Sequence, residues 1–173
     1  ADGRLNILPW DYNLAFGGMG IGGGDLSGAT EMINDAIDTP FPGTDFFDSL
    51  MENEEYRSRY HAYLRQLAEE YVRGGAFEET YARIRSQIDG LVAADPTAFY
   101  SSDEYEAGAE TLYRVVLLRA ESVKGQLEGA IASTDDGQRV DRSNLVDASG
   151  IDLAVMGKMD LGKPEGGSPT PFT

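Results

Sequence analysis

Apolar residues recur at three- and four-residue spacings between residues 44 and 131. This period is typical of amphipathic α-helices. It predicts four helices, at about 44–51, 53–73, 77–93 and 103–131, which would pack into a helical bundle. The residues expected to be buried between them are Tyr60, Leu64, Leu67, Ile84, Ile88, Leu112, Val116 and Val123.

The boundaries of these helices carry residues that start or stop helices. Thr44 is a plausible N-cap for the first helix. Gly74-Gly75 is expected to end the second helix, and Asp135-Asp136-Gly137 is expected to stop the chain after the fourth. A further short helix is possible within residues 29–37.

Outside the helical region the pattern changes. Residues 4–8 alternate loosely after the turn dipeptide Asp2-Gly3, which predicts a short strand ending at Pro9. Residues 151–156 also alternate and could form a strand, and the Pro- and Gly-rich residues 162–173 predict a disordered tail. We therefore expect a mainly α fold with a short N-terminal strand.

The acidic composition of the chain limits the partners that it is expected to bind. The chain carries 30 acidic and 14 basic residues, a formal net charge of -16. Nucleic acids and anionic membrane surfaces are bound through Lys and Arg, so neither is an expected partner. No window approaches 18 apolar residues, so no membrane-spanning helix is expected.

The sequence contains no cysteine and a single histidine, His61. Disulfides, thiolate catalysis and metal sites built from cysteine or several histidines are thereby excluded. His61 lies one position beyond an apolar stripe and is expected at the surface or flank of its helix.

The segment Pro9-Trp10-Asp11-Tyr12-Asn13 presents two oxygen-bearing side chains where the predicted strand ends. Such side chains can offer hard oxygen ligands to Mg²⁺. The alternative is a strand-end turn in which Asp11 hydrogen-bonds its own backbone. Residue chemistry alone leaves both open.

Two other motifs favour plain structural interpretations. Gly18-x-Gly20-x-x-Gly23 matches a dinucleotide-binding pattern, but it does not follow the strand directly, and a mobile loop is the better interpretation. The Asp-rich residues 135–141 lack the terminal Glu of a calcium-binding EF-hand loop, so a solvated turn is favoured.

Three segments together resemble the CotH kinase family, named for spore coat protein H. Residues 2–17, with Pro9-Trp10-Asp11, resemble the family's turn, strand and Pro-Trp-Asp-x-Asp motif. Residues 51–60 resemble its Asn-x-x-Phe/Tyr-Arg helix, and residues 117–127 resemble its long helix with an Arg, here Arg119. Arg119 itself is expected to pair with a buried carboxylate or to cap a carbonyl.

The resemblance implies a divergent kinase-like fold that transfers phosphate from ATP to Ser of coat or secreted proteins. Asp11 would bind Mg²⁺ or Mn²⁺ at the nucleotide phosphates, and Asn13 stands where the family has a second Asp. The partners implied are a Ser-containing protein substrate and the upstream half of the same domain. The implied location is the spore coat or the cell surface and secreted fraction.

The family's phosphate-covering loop, phosphate-binding Lys and catalytic Asp all precede this motif, so none of them is expected in this chain. Residues 1–4 are expected to be the turn of a hairpin whose first strand lies upstream in a longer protein, and this chain alone is expected to be inactive. Residues 1–131 would form the C-terminal half of the kinase-like domain, and residues 132–173 an extension. The alternative is an inert coat-assembly or binding protein that retained the fold.

Overall fold

The computed structural model describes residues 28–40 and 43–156, and this part of the chain is mainly helical, as the sequence predicts. The predicted N-terminal strand and the predicted tail at 162–173 lie outside the described residues. The α-helices are α1 (Ala29–Ile33), α2 (Asp45–Glu52), α3 (Glu54–Arg65), α4 (Ala76–Ala94), α5 (Ser102–Leu127) and α6 (Asp135–Val140). A π-helix (Gln66–Val72) continues α3, and a 3-10 helix (Leu153–Met156) follows α6.

The long helix α5 is the centre of the fold. Its N-terminus is closed by a capping box, in which Ser101 and Glu104 satisfy each other's backbone N–H groups. Two clusters of buried apolar side chains form around this helix. In the first, Ile33 of α1 and Val115 of α5 meet Ala148 and Ile151. In the second, Val123 and Ala120 of α5 pack against Ala68 and Val72 of the π-helix.

The predicted core is only partly correct. Val123 is buried, and Tyr60, Leu64, Leu112 and Val116 are half-buried. The prediction for Leu67 is wrong: it is 55% exposed, because the face that packs on α5 follows a strict four-residue spacing through Tyr60, Leu64, Ala68 and Val72.

The predicted burial of Ile84 and Ile88 is also wrong, since they are 43% and 38% exposed. Helix α4 meets α5 through Phe77 and Tyr81, which pack on Tyr113. The ion pair between Arg85 and Glu106 lies on the same side. Ile84 and Ile88 lie three and seven residues after Tyr81 and share this face of the helix, but the ring contacts do not cover them.

Helix α5 ends at Leu127, four residues earlier than predicted. Gly129 has a φ of 74°, a left-handed conformation that glycine adopts without strain. The chain then folds back, so that Ile131 lies where a side chain at Gly125 would be. Ile131 is buried by this return and not by continuation of the helix.

Two further predictions about the C-terminal part are corrected. Residues 135–137 do not stop a helix or form a solvated turn; they open α6, because the Thr134 hydroxyl accepts a hydrogen bond from the Gly137 N–H. Residues 151–156 form no strand; Leu153–Met156 is a 3-10 helix, whose first turn is held by the Asp152 carboxylate accepting from the Ala154 N–H.

Among the described residues, no helix is both long enough and apolar enough to cross a membrane.

Candidate functional site

The two residues predicted to hold a metal, Asp11 and Asn13, lie outside the described residues. Their side chains carry a carboxylate and an amide oxygen, which are donors suited to a hard cation. Within residues 28–40 and 43–156, no group of three or more His, Cys, Asp or Glu side chains could hold a metal ion.

The most elaborate polar site in the described part of the chain is built around residues 33–39, which we name the anchored segment. It links the end of α1 to the loop before α2, and most of it has no helical hydrogen bonds of its own. Ile33, Asn34, Ala36 and Ile37 are nevertheless buried. A buried segment of this kind must find partners for its backbone N–H and C=O groups elsewhere.

A polar stripe on α5 supplies several of those partners. Arg119, Ser122 and Gln126 are spaced three and four residues apart and so share one face of the helix. Arg119 Nη1 donates to the carbonyl oxygens of Ile33 at 3.0 Å and Asp35 at 2.7 Å. Of the two roles that the sequence predicts for Arg119, pairing with a carboxylate or capping a carbonyl, these contacts show the second.

Gln126 is the centre of the stripe and is only 4% exposed. Its Oε1 accepts from the Ile37 N–H at 3.0 Å. Its Nε2 lies 3.3 Å from the Asn34 carbonyl oxygen, 3.2 Å from that of Asp35 and 3.1 Å from the Ser122 hydroxyl. One side chain therefore binds three backbone groups of the anchored segment, two carbonyl oxygens and one N–H.

Residues after α5 complete the contacts. Gln138 Nε2 donates to the Asn34 carbonyl oxygen at 2.7 Å, and the Asp38 N–H donates to the Ser133 carbonyl oxygen at 2.7 Å. The Asn34 side chain, fully buried, exchanges two hydrogen bonds of 2.9 Å with the backbone of Val146. Hydrogen bonds from α5 and from residues 133–146 thus both hold the anchored segment in place.

Titratable groups surround the anchored segment. Although part of Asp35 faces solvent, crowding by the protein raises the pKa of its carboxyl, and the Arg119 guanidinium opposes that rise. Burial lowers the pKa of Arg119 and raises the pKa of the Tyr60 phenol. Perturbed groups of this kind collect at functional sites as well as in structural ion-pair networks.

His61 Nε2 lies 2.6 Å from Asp38 Oδ1, which ties α3 to the anchored segment. Its side chain is 28% exposed, in agreement with the predicted flank position. The pairing with Asp38 was not predicted, because the two residues are far apart in the sequence and share no periodic pattern. The contacts of Gln126 and Gln138 with the anchored segment were not predicted either.

A second polar cluster joins α4 to α5. Arg85 donates to Asp89 at 2.7 Å and to Glu106, and the Tyr105 hydroxyl donates to Asp89 at 2.8 Å. The hydrogen bond from Arg85 lowers the pKa of Asp89, while burial, together with the hydrogen bond to Asp89, raises the pKa of Tyr105 to about 12. An open groove of about 700 Å³, lined in part by Tyr81 and Tyr113, lies beside this cluster.

Comparison with known families gives one match. A family model described as CotH kinase protein matches residues 1–123, which include the Pro9-Trp10-Asp11 motif, the anchored segment and Arg119. Neither the curated proteins nor the solved structures contain a match to this chain.

Proposed function

The chain belongs to the CotH kinase family, and from this membership we propose that it is part of an atypical protein kinase that transfers phosphate from ATP to Ser of a coat or secreted protein. The observation that carries the proposal is the family match over residues 1–123, which spans more than half of the chain and includes Asp11. A kinase family implies a nucleotide and a divalent metal in general terms.

In this proposal Asp11 and Asn13 hold Mg²⁺ or Mn²⁺. Their donors fit, since a carboxylate and an amide oxygen are ligands for hard divalent cations. The metal would neutralise negative charge on the nucleotide phosphates. Asp11 supplies the negative charge that retains the cation, while Asn13 can contribute a lone pair but no charge.

The proposal assigns the described helices the role of scaffold. The anchored segment and its partners fix the chain that follows the metal-binding motif onto α5. The phosphate-covering loop, the phosphate-binding Lys and the catalytic Asp would come from the upstream half of the domain in the full-length protein.

The second candidate is an inert assembly or binding protein that retained the fold. Asn13 favours it, because the family motif has Asp at this position and the amide weakens the attraction for a cation. The two candidates predict opposite results for phosphate transfer.

Two substitutions in the full-length protein test the proposal. Asp11→Asn keeps the shape of the side chain but removes its charge, so we expect transfer of labelled phosphate to casein, a Ser-containing probe, to fall by at least ~100-fold. Asn13→Asp restores the second carboxylate of the family motif and should leave transfer equal or raise it.

Asp48→Asn is the matched control, because it removes one exposed carboxylate of α2, outside the motif, and it should leave transfer unchanged. Full phosphate transfer by the Asp11→Asn variant contradicts the metal assignment. Absence of both ATP binding and phosphate transfer in the unmutated full-length protein supports the inert scaffold instead.

A further inference from the structure

We propose that the open groove between α4 and α5 is a docking site for an arginine-bearing segment of a partner protein. Glu78 and Tyr81 line it from α4, and Glu110 and Tyr113 line it from α5. The proposal does not rest on phosphate transfer, because it concerns a surface of the described helices. It would hold for an active kinase and for an inert assembly protein alike.

The two helices bring the same pair of side chains to the groove. On α4, Glu78 lies three residues before Tyr81, and on α5, Glu110 lies three residues before Tyr113. Side chains three residues apart share one face of a helix, with their Cβ atoms about 5–6 Å apart. Each wall of the groove therefore presents a carboxylate one helical turn from a tyrosine ring.

The tyrosine rings form a continuous aromatic surface. The ring centroids of Tyr81 and Tyr113 are 5.0 Å apart, and Phe77 stacks on Tyr113 at 5.5 Å. Both tyrosines are half-buried, so part of each side chain remains accessible from the groove. The face of an aromatic ring carries a negative electrostatic potential and attracts a cation. The surface is therefore suited to a cationic group that can lie flat on it.

The groove also carries an excess of negative charge. Its guanidinium, that of Arg85, already donates to Asp89 and Glu106. Within residues 28–40 and 43–156, the carboxylates of Glu78 and Glu110 take part in no ion pair and no side-chain hydrogen bond. The whole chain, with 30 acidic and 14 basic residues, would repel an acidic segment and attract a basic one. A positively charged occupant thus complements the groove.

Arg85 shows how this combination of side chains holds a guanidinium. Its Cζ lies 5.8 Å from the ring centroid of Tyr81 and 5.3 Å from that of Tyr105, while its nitrogens donate to Asp89 and Glu106. A planar guanidinium can stack on a ring and donate to a carboxylate at the same time, whereas the ammonium of lysine acts as a point charge. We therefore assign the groove to arginine.

The shape of the groove favours a segment of protein as its occupant. Sites for small molecules usually enclose most of the ligand's surface. This groove is open and has a volume of about 700 Å³ between two helices. An extended segment can lie along it and place an arginine side chain on the tyrosine rings.

Binding of fluorescein-labelled octa-arginine to the full-length protein, followed by fluorescence anisotropy at about 0.15 M salt, tests the proposal. Glu78→Gln combined with Glu110→Gln removes both unpaired carboxylates, and we expect it to weaken binding about tenfold, the effect of two exposed ion pairs. Octa-lysine should bind the unmutated protein about threefold more weakly than octa-arginine, because it stacks less well on the rings.

Asp48→Asn combined with Glu52→Gln is the matched control, since it removes the same charge from exposed positions of α2, whose packing partner is α3. It should change octa-arginine binding by less than about twofold, because distant charges are screened. Tyr113→Leu removes one ring and should abolish the preference for octa-arginine over octa-lysine. If this variant folds poorly, the glutamate variant still decides the matter, because Glu78 and Glu110 are exposed.

Several results would overturn the proposal. Absence of octa-arginine binding by the unmutated protein is one, and equal weakening by the groove and α2 variants is another, because it indicates attraction to the overall charge. Octa-lysine or spermine that binds as tightly as octa-arginine would show that the groove accepts any polycation. Self-association of the unmutated protein in sedimentation experiments, if Tyr113→Leu abolishes it, would assign the groove to a second copy of the chain.

Discussion

Arg119 shows how one buried charge can be retained by backbone contacts. Burial lowers the pKa of its guanidinium, which means that the charged form carries a desolvation cost. Two carbonyl oxygens, of Ile33 and Asp35, receive its hydrogen bonds. The charge also lies near Asp35 and Tyr60. The residue therefore acts chiefly as one of several side-chain donors to the backbone of the anchored segment.

Replacing Arg119 with Met should destabilise the protein by about 2–3 kcal/mol, because the Ile33 carbonyl oxygen loses its donor and that of Asp35 keeps only the one from Gln126. Denaturant unfolding measures this change. Arg114→Met, on an exposed position of the same helix, should change the free energy of unfolding by less than about 0.5 kcal/mol. Equal effects of the two substitutions would show that the carbonyl contacts contribute nothing.

The sequence predicts the chemistry of individual residues unevenly. The capping role of Arg119 follows from a charged residue on an apolar helix, and the structure confirms it. The partners of His61 and Gln126 cannot be predicted from the sequence. They depend on how residues 28–40 pack against α3 and α5, and no local periodicity of the sequence determines that packing. The predicted roles of Asp11 and Asn13 lie outside the described residues and stay predictions.

At the scale of elements, periodicity locates the helices but not their partners. Predicted and observed bounds of α2, α4 and the start of α5 agree within about two residues, because N-caps and glycines mark them locally. The end of α5 differs, since Ile131 keeps the helical spacing while the chain has already turned at Gly129. The exposed Ile84 and Ile88 show the same limit, because orientation depends on contacts made in three dimensions.

The contact between α4 and α5 should depend on pH. The hydrogen bond from Arg85 lowers the pKa of Asp89 below the unfolded value of about 3.9. The contact therefore contributes stability above about pH 4, and this contribution disappears as the pH falls through the folded-state pKa of Asp89. Asp89→Asn should lose less stability than the unmutated protein between pH 6 and pH 3 in denaturant titrations.

Asp48→Asn provides the comparison for that measurement, since Asp48 is an exposed carboxylate of α2. It should retain the pH dependence of the unmutated protein. An identical loss of stability on acidification in the Asp89→Asn protein would contradict the proposed contribution of the Arg85 contact.

At the scale of the whole molecule, the residues after α5 share the core of the helices before them. Ala148 and Ile151 are buried with Ile33 and Val115, and Val146 pairs with the buried Asn34 side chain. Arg142 adds an ion pair of 2.8 Å to Glu31 of α1. Residues 133–156 thus contribute directly to the position of α1 and of the anchored segment.

The helical scaffold and its polar contacts serve catalysis only if the family's chemistry is retained. The family match covers the Pro9-Trp10-Asp11 motif and the anchored segment together. In a kinase, the motif would serve the nucleotide, and the anchored segment would hold the chain that follows the motif. An inert relative would keep the same scaffold for assembly, so the fold alone does not distinguish the two.

Phosphate transfer by the unmutated full-length protein tests the kinase proposal most directly. Incubation with ATP labelled on its terminal phosphate, Mg²⁺ or Mn²⁺ and casein should place the label on Ser, and a chelator should prevent this transfer. If the folded protein binds no ATP and transfers no label to casein or to itself with either metal, the kinase proposal is contradicted and the assembly role is favoured.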